Sequence, residues 1–169
     1  TRLDFLERGV ALNNSRCQWT LARKLGYGFG GVTPDLKKAL DLLKDSQDYT
    51  KAQFDIGVLT ARLEGSPTIF VNSHKHYHEA GAERGDKRAI EALSSYANNQ
   101  RKFKVATKLG LIAFKIEGSC IGSENNLLNR IGVYYGGLKD PLTRKKWFIK
   151  AIQQGSASAH KNMTGAELF

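Results

Sequence analysis

The chain has 169 residues, of which 41% are hydrophobic, a length and composition sufficient for one substantial core. It contains no run of about 18 apolar residues, so we expect no membrane-spanning helix, and its two cysteines exclude a disulfide framework. The 26 lysines and arginines against 16 acidic residues give a net charge of +10, which favours an acidic partner such as nucleic acid, an anionic membrane or an acidic protein face.

Helix–turn–helix pairs follow one another from the N-terminus. Residues 1–14 have the pattern of the second helix of a pair, and residues 17–28 that of the first helix of the next, ended by glycines. The partner of that helix begins near Pro34 and runs to about residue 47, with its apolar residues on one side. The next first helix spans 52–63. A longer loop with an exposed-looking Ile69-Phe70 then leads to its partner at residues 72–84.

The second half of the chain continues the alternation. A first helix at 89–98 is followed by two asparagines in place of a glycine turn, and a second helix at 101–117 is apolar on one side. The clearest pair occupies residues 127–163. We expect Gly136 and Gly137 to end its first helix, because glycine enters the left-handed region without a Cβ penalty. Pro141 suits the first turn of its second helix, and Gly155 ends that helix.

A spacing of 35 residues connects the pairs. Steps of that length place a large apolar residue on each second helix, at Leu42, Tyr77, Ile112 and Trp147. Each first helix carries a large residue followed by a small one, which lets two backbones approach closely. These pairs are Leu21-Ala22, Ile56-Gly57, Leu93-Ser94 and Ile131-Gly132. Self-similarity at a fixed step predicts a solenoid, in which each pair buries its apolar face against its neighbours.

The repeat predicts a single domain over residues 1–169. Its parts are a partial N-terminal unit at 1–16, four repeats at 17–51, 52–88, 89–126 and 127–158, and a capping helix at 159–169 that ends in Leu168-Phe169. Cys17 and Cys120 lie about three units apart, so we expect no bond between them, because stacked units contact only their neighbours. The sequence begins at Thr1 without a signal-like segment, which leaves open an earlier segment and the compartment.

Several stretches resemble the Sel-one-like repeat family, relatives of the tetratricopeptide repeats with units of roughly 36 residues. They are GGVTPDLKKAL at 30–40, QFDIG at 53–57, EAGAERGDKRA at 79–89, and NRIGVYYGG with KKWFIKAIQQGSASA between 129 and 159. The resemblance implies an all-α, right-handed superhelical solenoid of antiparallel helix pairs, with about four repeats and partial end units. It also implies a scaffold that binds other proteins and is not an enzyme.

First helices line the concave side of such a solenoid, so their polar and aromatic residues are the predicted protein-binding positions. These are Trp19, Arg23, Asp55, Arg62, Glu91, Tyr96, Arg130 and Tyr134. Ordinary packing or solvation is the alternative interpretation at each position. If they bind a partner, charge reversal at Arg62 or Arg130 should weaken capture without lowering the melting temperature.

The basic net charge predicts a partner with an acidic surface. The most specific hypothesis is a bacterial immunity protein that neutralises a secreted effector toxin, as in type VI secretion, located in the cytoplasm or periplasm. An adaptor for a signalling or host-interaction complex is the first alternative. The second is a helical repeat that binds nucleic acid, with first-helix residues Arg23, Lys24, Arg62 and Arg130 for phosphates and Trp19, Tyr96 and Tyr134 nearby.

The sequence predicts no catalytic residue, cofactor or metal site. His74 and His78 would share a helix face, but a zinc site needs a third ligand, and Ala82 replaces the second histidine of the zinc-protease motif. We therefore expect histidines on a helix surface. Ser158 and Lys161 have the Ser-x-x-Lys spacing of serine acyl enzymes without the companion motifs of those enzymes.

Overall fold

The computed structural model describes residues 2–66, 74–117 and 120–163, and in these ranges every regular element is a helix. In chain order they are α1 (Arg2–Ala11), α2 (Ser15–Tyr27), α3 (Leu36–Asp45), α4 (Ala52–Leu63), α5 (Lys75–Glu83), α6 (Lys87–Asn99), α7 (Phe103–Lys115), α8 (Glu124–Gly137), α9 (Pro141–Gln153) and α10 (Ala157–Asn162). The all-α prediction is confirmed. None of these described helices combines the length and the hydropathy that crossing a bilayer requires.

The helices fall into two compact units, Thr1–Asp86 with α1 to α5 and Lys87–Phe169 with α6 to α10. In both units each helix packs on the next one along the chain, and in the first unit α2 also contacts α4. Ile69-Phe70 and Leu168-Phe169, which the sequence analysis singled out, lie outside the described residues.

The core of the first unit comes from one face each of α2 and α3, from α4, which is buried on nearly all sides, and from Leu6 of α1. On α3 the apolar residues recur at the spacing that places them on a single helix face. The buried set is Leu21, Ala22, Ala39, Leu40, Leu43, Ile56 and Leu59. Side-chain caps fix where α2 and α3 begin, because Asn14 accepts from the Cys17 N–H and Asp35 accepts from the Lys38 N–H.

The core of the second unit lies between α8 and α9 and extends to α7 and α10. Leu127, Leu128 and Ile131 of α8 are fully buried, as are Phe148 and Ala151 of α9. Asp140 caps α9, its carboxylate accepting from the Thr143 N–H, and Pro141 follows in the first turn as predicted.

The turns between helices use left-handed residues, as the sequence predicted for glycine. Gly28, at φ 71°, ends α2, while Gly85 and Gly155, exactly two repeat steps apart in sequence, have φ of 78° and 84°. Where no glycine stands at the left-handed position, Arg101 (φ 58°) and Lys139 (φ 59°) adopt it instead.

Helix α8 ends at Gly137 as predicted, but the predicted left-handed conformation of Gly136 and Gly137 is wrong. Helix α8 continues through Gly137, and Lys139 is the residue that adopts the left-handed conformation. A Cβ added at Gly137 would collide with the ring of Phe103 on α7. Glycine at this position therefore serves helix–helix packing rather than chain reversal.

Ile112 is also placed differently from the prediction, because it is 39% exposed instead of facing inward. Helix α7 turns its small residues Ala106, Gly110 and Ala113 towards the core. A Cβ added at Gly110 would lie 3.1 Å from Ile131 Cγ1 and 3.2 Å from Tyr134 Cε2. The close approach of α7 to α8 therefore uses the face with small side chains and leaves Ile112 outside.

Candidate protein-binding surface

The eight predicted binding residues are distributed over four first helices. Trp19 and Arg23 lie on α2 and Asp55 and Arg62 on α4, all within the first unit. The second unit holds the remaining four, Glu91 and Tyr96 on α6 with Arg130 and Tyr134 on α8. In each unit a buried carboxylate on one first helix is bonded to residues of the other first helix.

Asp55 is the centre of the group in the first unit, and it is fully buried. The indole Nε1 of Trp19 donates to Asp55 Oδ2 at 2.7 Å, and the hydroxyl of Tyr27 donates to Asp55 Oδ1 at 2.9 Å. Trp19 and Asp55 are 36 residues apart, so this bond joins matching turns of successive first helices. The two hydrogen bonds stabilise the carboxylate and fix the orientation of both aromatic rings.

Two arginines lie on these rings. The guanidinium carbon of Arg23 is 5.0 Å from the ring centre of Trp19, 5.7 Å from that of Tyr27 and 5.6 Å from that of Phe29. Arg62 is 5.5 Å from the ring centre of Tyr27, and its Nη1 donates to the Gly26 carbonyl at 2.9 Å. Such cation–π contacts hold both arginines, and Arg23 Nε also lies 3.8 Å from Asp55 Oδ1, at the edge of ion-pair distance.

We call Trp19, Arg23, Tyr27, Phe29 and Arg62 the arginine–aromatic surface. Phe29 is 50% exposed and stacks on Tyr27 with ring centres 5.3 Å apart. The side chain of Arg23 is 35% exposed, and Arg62 is exposed. This part of the first unit therefore presents aromatic and cationic groups to the outside above a buried carboxylate.

In the second unit the buried carboxylate is Glu91, and its cation is Arg130. Glu91 is fully buried, and Arg130 Nη2 forms an ion pair with Glu91 Oε2, which also accepts from the Ile121 N–H at 3.2 Å. Burial raises the pKa of Glu91 above its ordinary value, while the nearby charge of Arg130 opposes that shift. Arg130 is therefore paired with a buried carboxylate, whereas Arg62 donates to a backbone carbonyl.

A second charged group in this unit contains Lys87, Cys120 and Glu124. Glu124 Oε2 lies 3.4 Å from Lys87 Nζ and accepts from Cys120 Sγ at 3.2 Å. Burial alone would lower the pKa of Lys87, but Cys120 and Glu124 hold it above its ordinary value. Burial, the bond to Glu124 and the charge of Glu91 raise the pKa of Cys120 to about 11, so its thiol stays protonated at neutral pH and is a poor nucleophile.

The Cys120 environment predicts slow alkylation. With a pKa of about 11, roughly one thiol in a thousand is ionised at pH 8, against about a quarter for an ordinary cysteine. In a Cys17→Ser variant we expect iodoacetamide to modify Cys120 about a hundredfold more slowly than the same variant unfolded in urea. The rate should rise about tenfold per pH unit. Equal rates for the folded and unfolded chains at pH 8 would contradict this assignment.

Four of the eight predicted residues are buried. Besides Asp55 and Glu91, Tyr96 is 3% exposed and Tyr134 is 1% exposed. The hydroxyl of Tyr134 lies 3.0 Å from Ser94 Oγ, and burial raises the pKa of Tyr96 to about 12. The predicted residues that reach the outside are therefore Trp19, Arg23, Arg62 and, in part, Arg130.

Tyr27 and Phe29 belong to the surface but were not among the predicted residues. Trp19, Arg23 and Tyr27 follow one another at intervals of four, which places them on one face of α2. Phe29 follows directly, between Gly28 and Gly30, at the turn after α2. The interval of four was the signal in the sequence for Tyr27, and the position between two glycines was the signal for Phe29.

The prediction of surface histidines is wrong for His74 and His78, although His76 is exposed on α5. His78 is fully buried and His74 is 5% exposed. Gly57 makes room for His78, because a Cβ there would lie 3.1 Å from His78 Cε1, and the ring of Phe54 packs 5.2 Å away. His74 Nε2 lies 3.3 Å from Glu64 Oε1. Within the described ranges, no three His, Cys, Asp or Glu residues are grouped so that they could hold a metal ion.

Known proteins resemble this chain in structure rather than in sequence. Neither a protein-family model nor a curated protein matches this sequence. The crystal structure of a Sel1 repeat protein from Oxalobacter formigenes superposes on 96% of the chain with a TM-score of 0.72 at 15% sequence identity. The chain has the Sel1 repeat fold. The predicted resemblance and the all-α solenoid class are thus confirmed, and the chain spans 66% of the length of that protein.

Proposed function

We propose that this chain is a non-enzymatic scaffold that holds another protein, and that the arginine–aromatic surface is where the partner binds. The observation that carries the proposal is the exposure of Arg23, Arg62 and Phe29 above a carboxylate that is fully buried. Tryptophan, tyrosine and arginine contribute most to binding energy at protein interfaces. A fold of repeated helix pairs supports such a role, because it offers extended surfaces rather than deep pockets.

The charged groups of the second unit support a structural role for that region rather than catalysis. The Arg130–Glu91 pair is mostly buried, and the thiol of Cys120 is held in its protonated form. Each shifted group is accounted for by burial or by a neighbouring side chain. The proposal therefore places partner binding on the first unit.

The burial of two tyrosines favours a protein partner over nucleic acid. Base stacking requires accessible rings, but Tyr96 and Tyr134 lie in the core of the second unit. Arg130 pairs with Glu91, which leaves fewer first-helix cations for phosphates. We expect no measurable affinity for random single-stranded DNA or RNA at about 150 mM salt by fluorescence anisotropy. Submicromolar binding that falls steeply with added salt would favour the nucleic-acid alternative instead.

The capture of a partner tests the function itself. The tagged chain is incubated with extract of its native host, and bound proteins are identified by mass spectrometry. Arg16 provides a matched control for Arg62, because it is an exposed arginine on α2 outside the arginine–aromatic surface. We expect wild type and Arg16→Gln to retain the same protein, and Arg62→Gln to retain less of it. If no variant retains a specific protein, the scaffold proposal is contradicted.

A bacterial immunity protein that neutralises a secreted effector toxin is the most specific form of the proposal. The net charge of +10 supports an acidic partner, because charge complementarity speeds capture and suppresses wrong partners. A toxin encoded beside this chain should be lethal when expressed alone and tolerated when both are expressed. Failure to bind or protect against any neighbouring toxin would favour the adaptor alternative, in which the captured protein belongs to a signalling or host-interaction complex.

A further inference from the structure

The geometry points to a carboxylate-binding subsite formed by Arg23 and Arg62 over the ring of Tyr27, with Phe29 receiving an apolar side chain next to that carboxylate. The ligand is an Asp or Glu side chain of a partner protein, flanked by an apolar residue. This inference rests on the proposed function and names the chemical group that the surface recognises.

The first argument is the balance of charge. Asp55 is the carboxylate beside Arg23, and its oxygens already accept from Trp19 and Tyr27. Arg23 Nε is 3.8 Å from Asp55 Oδ1, within ion-pair distance but beyond hydrogen-bond distance, and this nitrogen has no hydrogen-bond acceptor among the described residues. The described structure also contains no carboxylate within ion-pair distance of Arg62. Asp55 therefore offsets one of the two positive charges next to Tyr27, and an added carboxylate would offset the second.

The second argument is that both arginines are held before any ligand arrives. Arg62 donates Nη1 to the Gly26 carbonyl at 2.9 Å, and its guanidinium lies 5.5 Å from the ring centre of Tyr27. Arg23 lies on three aromatic rings at once. An arginine that is already positioned loses little conformational entropy when it binds a carboxylate, so more of the contact energy appears as affinity.

The third argument distinguishes a carboxylate from the phosphates of nucleic acid. A phosphate backbone needs several cations along its path, together with exposed rings for the bases. Here the cations are grouped on two neighbouring rings, with Arg23 and Arg62 on Tyr27 and Lys51 Nζ 5.6 Å from the ring centre of Trp19. The half-exposed group beside them is the apolar Phe29. One anion beside one apolar contact matches an acidic side chain next to a leucine or phenylalanine in a protein segment.

The tryptophans provide a built-in readout, because the chain has two. Trp19 belongs to the surface, whereas Trp147 packs against Phe114 in the second unit. In ¹H–¹⁵N spectra of the full chain, each indole N–H gives its own signal. The probes are a capped hexapeptide of alternating glutamate and leucine, the same peptide with glutamine for glutamate, and an oligothymidylate of about 20 nucleotides.

We expect the glutamate peptide to shift the Trp19 signal saturably and to leave the Trp147 signal in place, while the glutamine peptide shifts neither. Arg62→Gln removes one charge-assisted contact and should raise the Kd roughly tenfold, whereas Arg16→Gln leaves it unchanged. Arg62→Lys, which keeps the charge but loses the planar fork, should fall between them. Thermal melts verify that each variant is folded.

Several results would overturn the subsite. The glutamate and glutamine peptides could give equal responses, or the Kd could be unchanged in Arg62→Gln. Oligothymidylate could shift the Trp19 signal where the peptide does not, or no probe could shift it. The capture experiment separates this failure from that of the proposed function. A specific partner retained equally by wild type and Arg62→Gln would leave the scaffold in place and remove the subsite.

Discussion

Replacing Arg130 with methionine is expected to lower the free energy of unfolding by about 3 kcal/mol at pH 7. The change leaves Glu91 fully buried and without its cation, which typically costs 3 to 5 kcal/mol. We take the lower end because the side chain of Arg130 is 22% exposed. A loss of about 3 kcal/mol corresponds to a melting temperature lower by roughly 6 to 12 °C in a chain of this size.

The loss should be smaller in acid. Burial raises the pKa of Glu91 in the folded state, so the stability contributed by its neutral form is present at low pH and is lost as pH rises through the folded pKa. Arg130 lowers that pKa, so its removal raises it further and extends the pH range over which Glu91 binds a proton. Urea unfolding at pH 7 and at about pH 4 measures the difference.

Arg16→Met is the matched control for Arg130→Met, because Arg16 is exposed and has no ion pair among the described residues. Its stability should differ from that of the wild type by less than about 0.5 kcal/mol at both pH values. Equal stabilities of the two variants at pH 7 would contradict the role of the Arg130–Glu91 pair. The sequence alone predicted no loss of melting temperature on charge reversal at Arg130, and the burial of Glu91 changes that expectation.

Gly132→Ala is expected to lower the free energy of unfolding by about 2 to 3 kcal/mol. A Cβ at this position would lie 2.5 Å from Cδ1 and Cε1 of Phe148, a residue that is 1% exposed and packed in the core. Overpacking of this kind forces side chains from their rotamers or separates the helices. Here it would separate α8 from α9, the two helices that form the core of the second unit.

The measurement is a double-mutant cycle by urea unfolding. Phe148→Leu shortens the side chain that collides, so Gly132→Ala should cost less in that background than in the wild type. Gly136→Ala is the control, because its Cβ would lie 3.2 Å from Arg144 Cδ, which needs to move by only a few tenths of an ångström, and because alanine has the higher helix propensity. If Gly132→Ala is as mild as Gly136→Ala, or if the cycle shows no coupling, the close approach of α8 and α9 is wrong.

Local signals in the sequence were sufficient to predict the helix pairs. Apolar spacing, Pro141 and the left-handed glycines act within a few residues of the positions that they control. They were insufficient for Gly137, because its collision partner Phe103 is 34 residues away in the chain. A glycine that ends a helix and one that allows close packing look the same until the neighbouring helix is in place. Ile112 was misplaced for the same reason.

The sequence predicted which helices carry the candidate site, but it did not predict which of the site residues are buried. Asp55 and Glu91 were recognised as polar residues on first helices, yet periodicity within one helix does not reveal a donor on the next. Their partners Trp19 and Arg130 are 36 and 39 residues away and make burial of both carboxylates tolerable. His78 is a similar case, because the space that it fills depends on Gly57 of another helix.

Photo-crosslinking tests most directly whether the arginine–aromatic surface binds the partner. A photoreactive benzoylphenylalanine replaces Phe29, which is 50% exposed in the first unit, or Leu142, which is 75% exposed in the second. After irradiation in native extract, we expect a covalent adduct with the captured partner from position 29 and none from position 142. An adduct from position 142 alone, or a partner retained without any adduct at position 29, would contradict it.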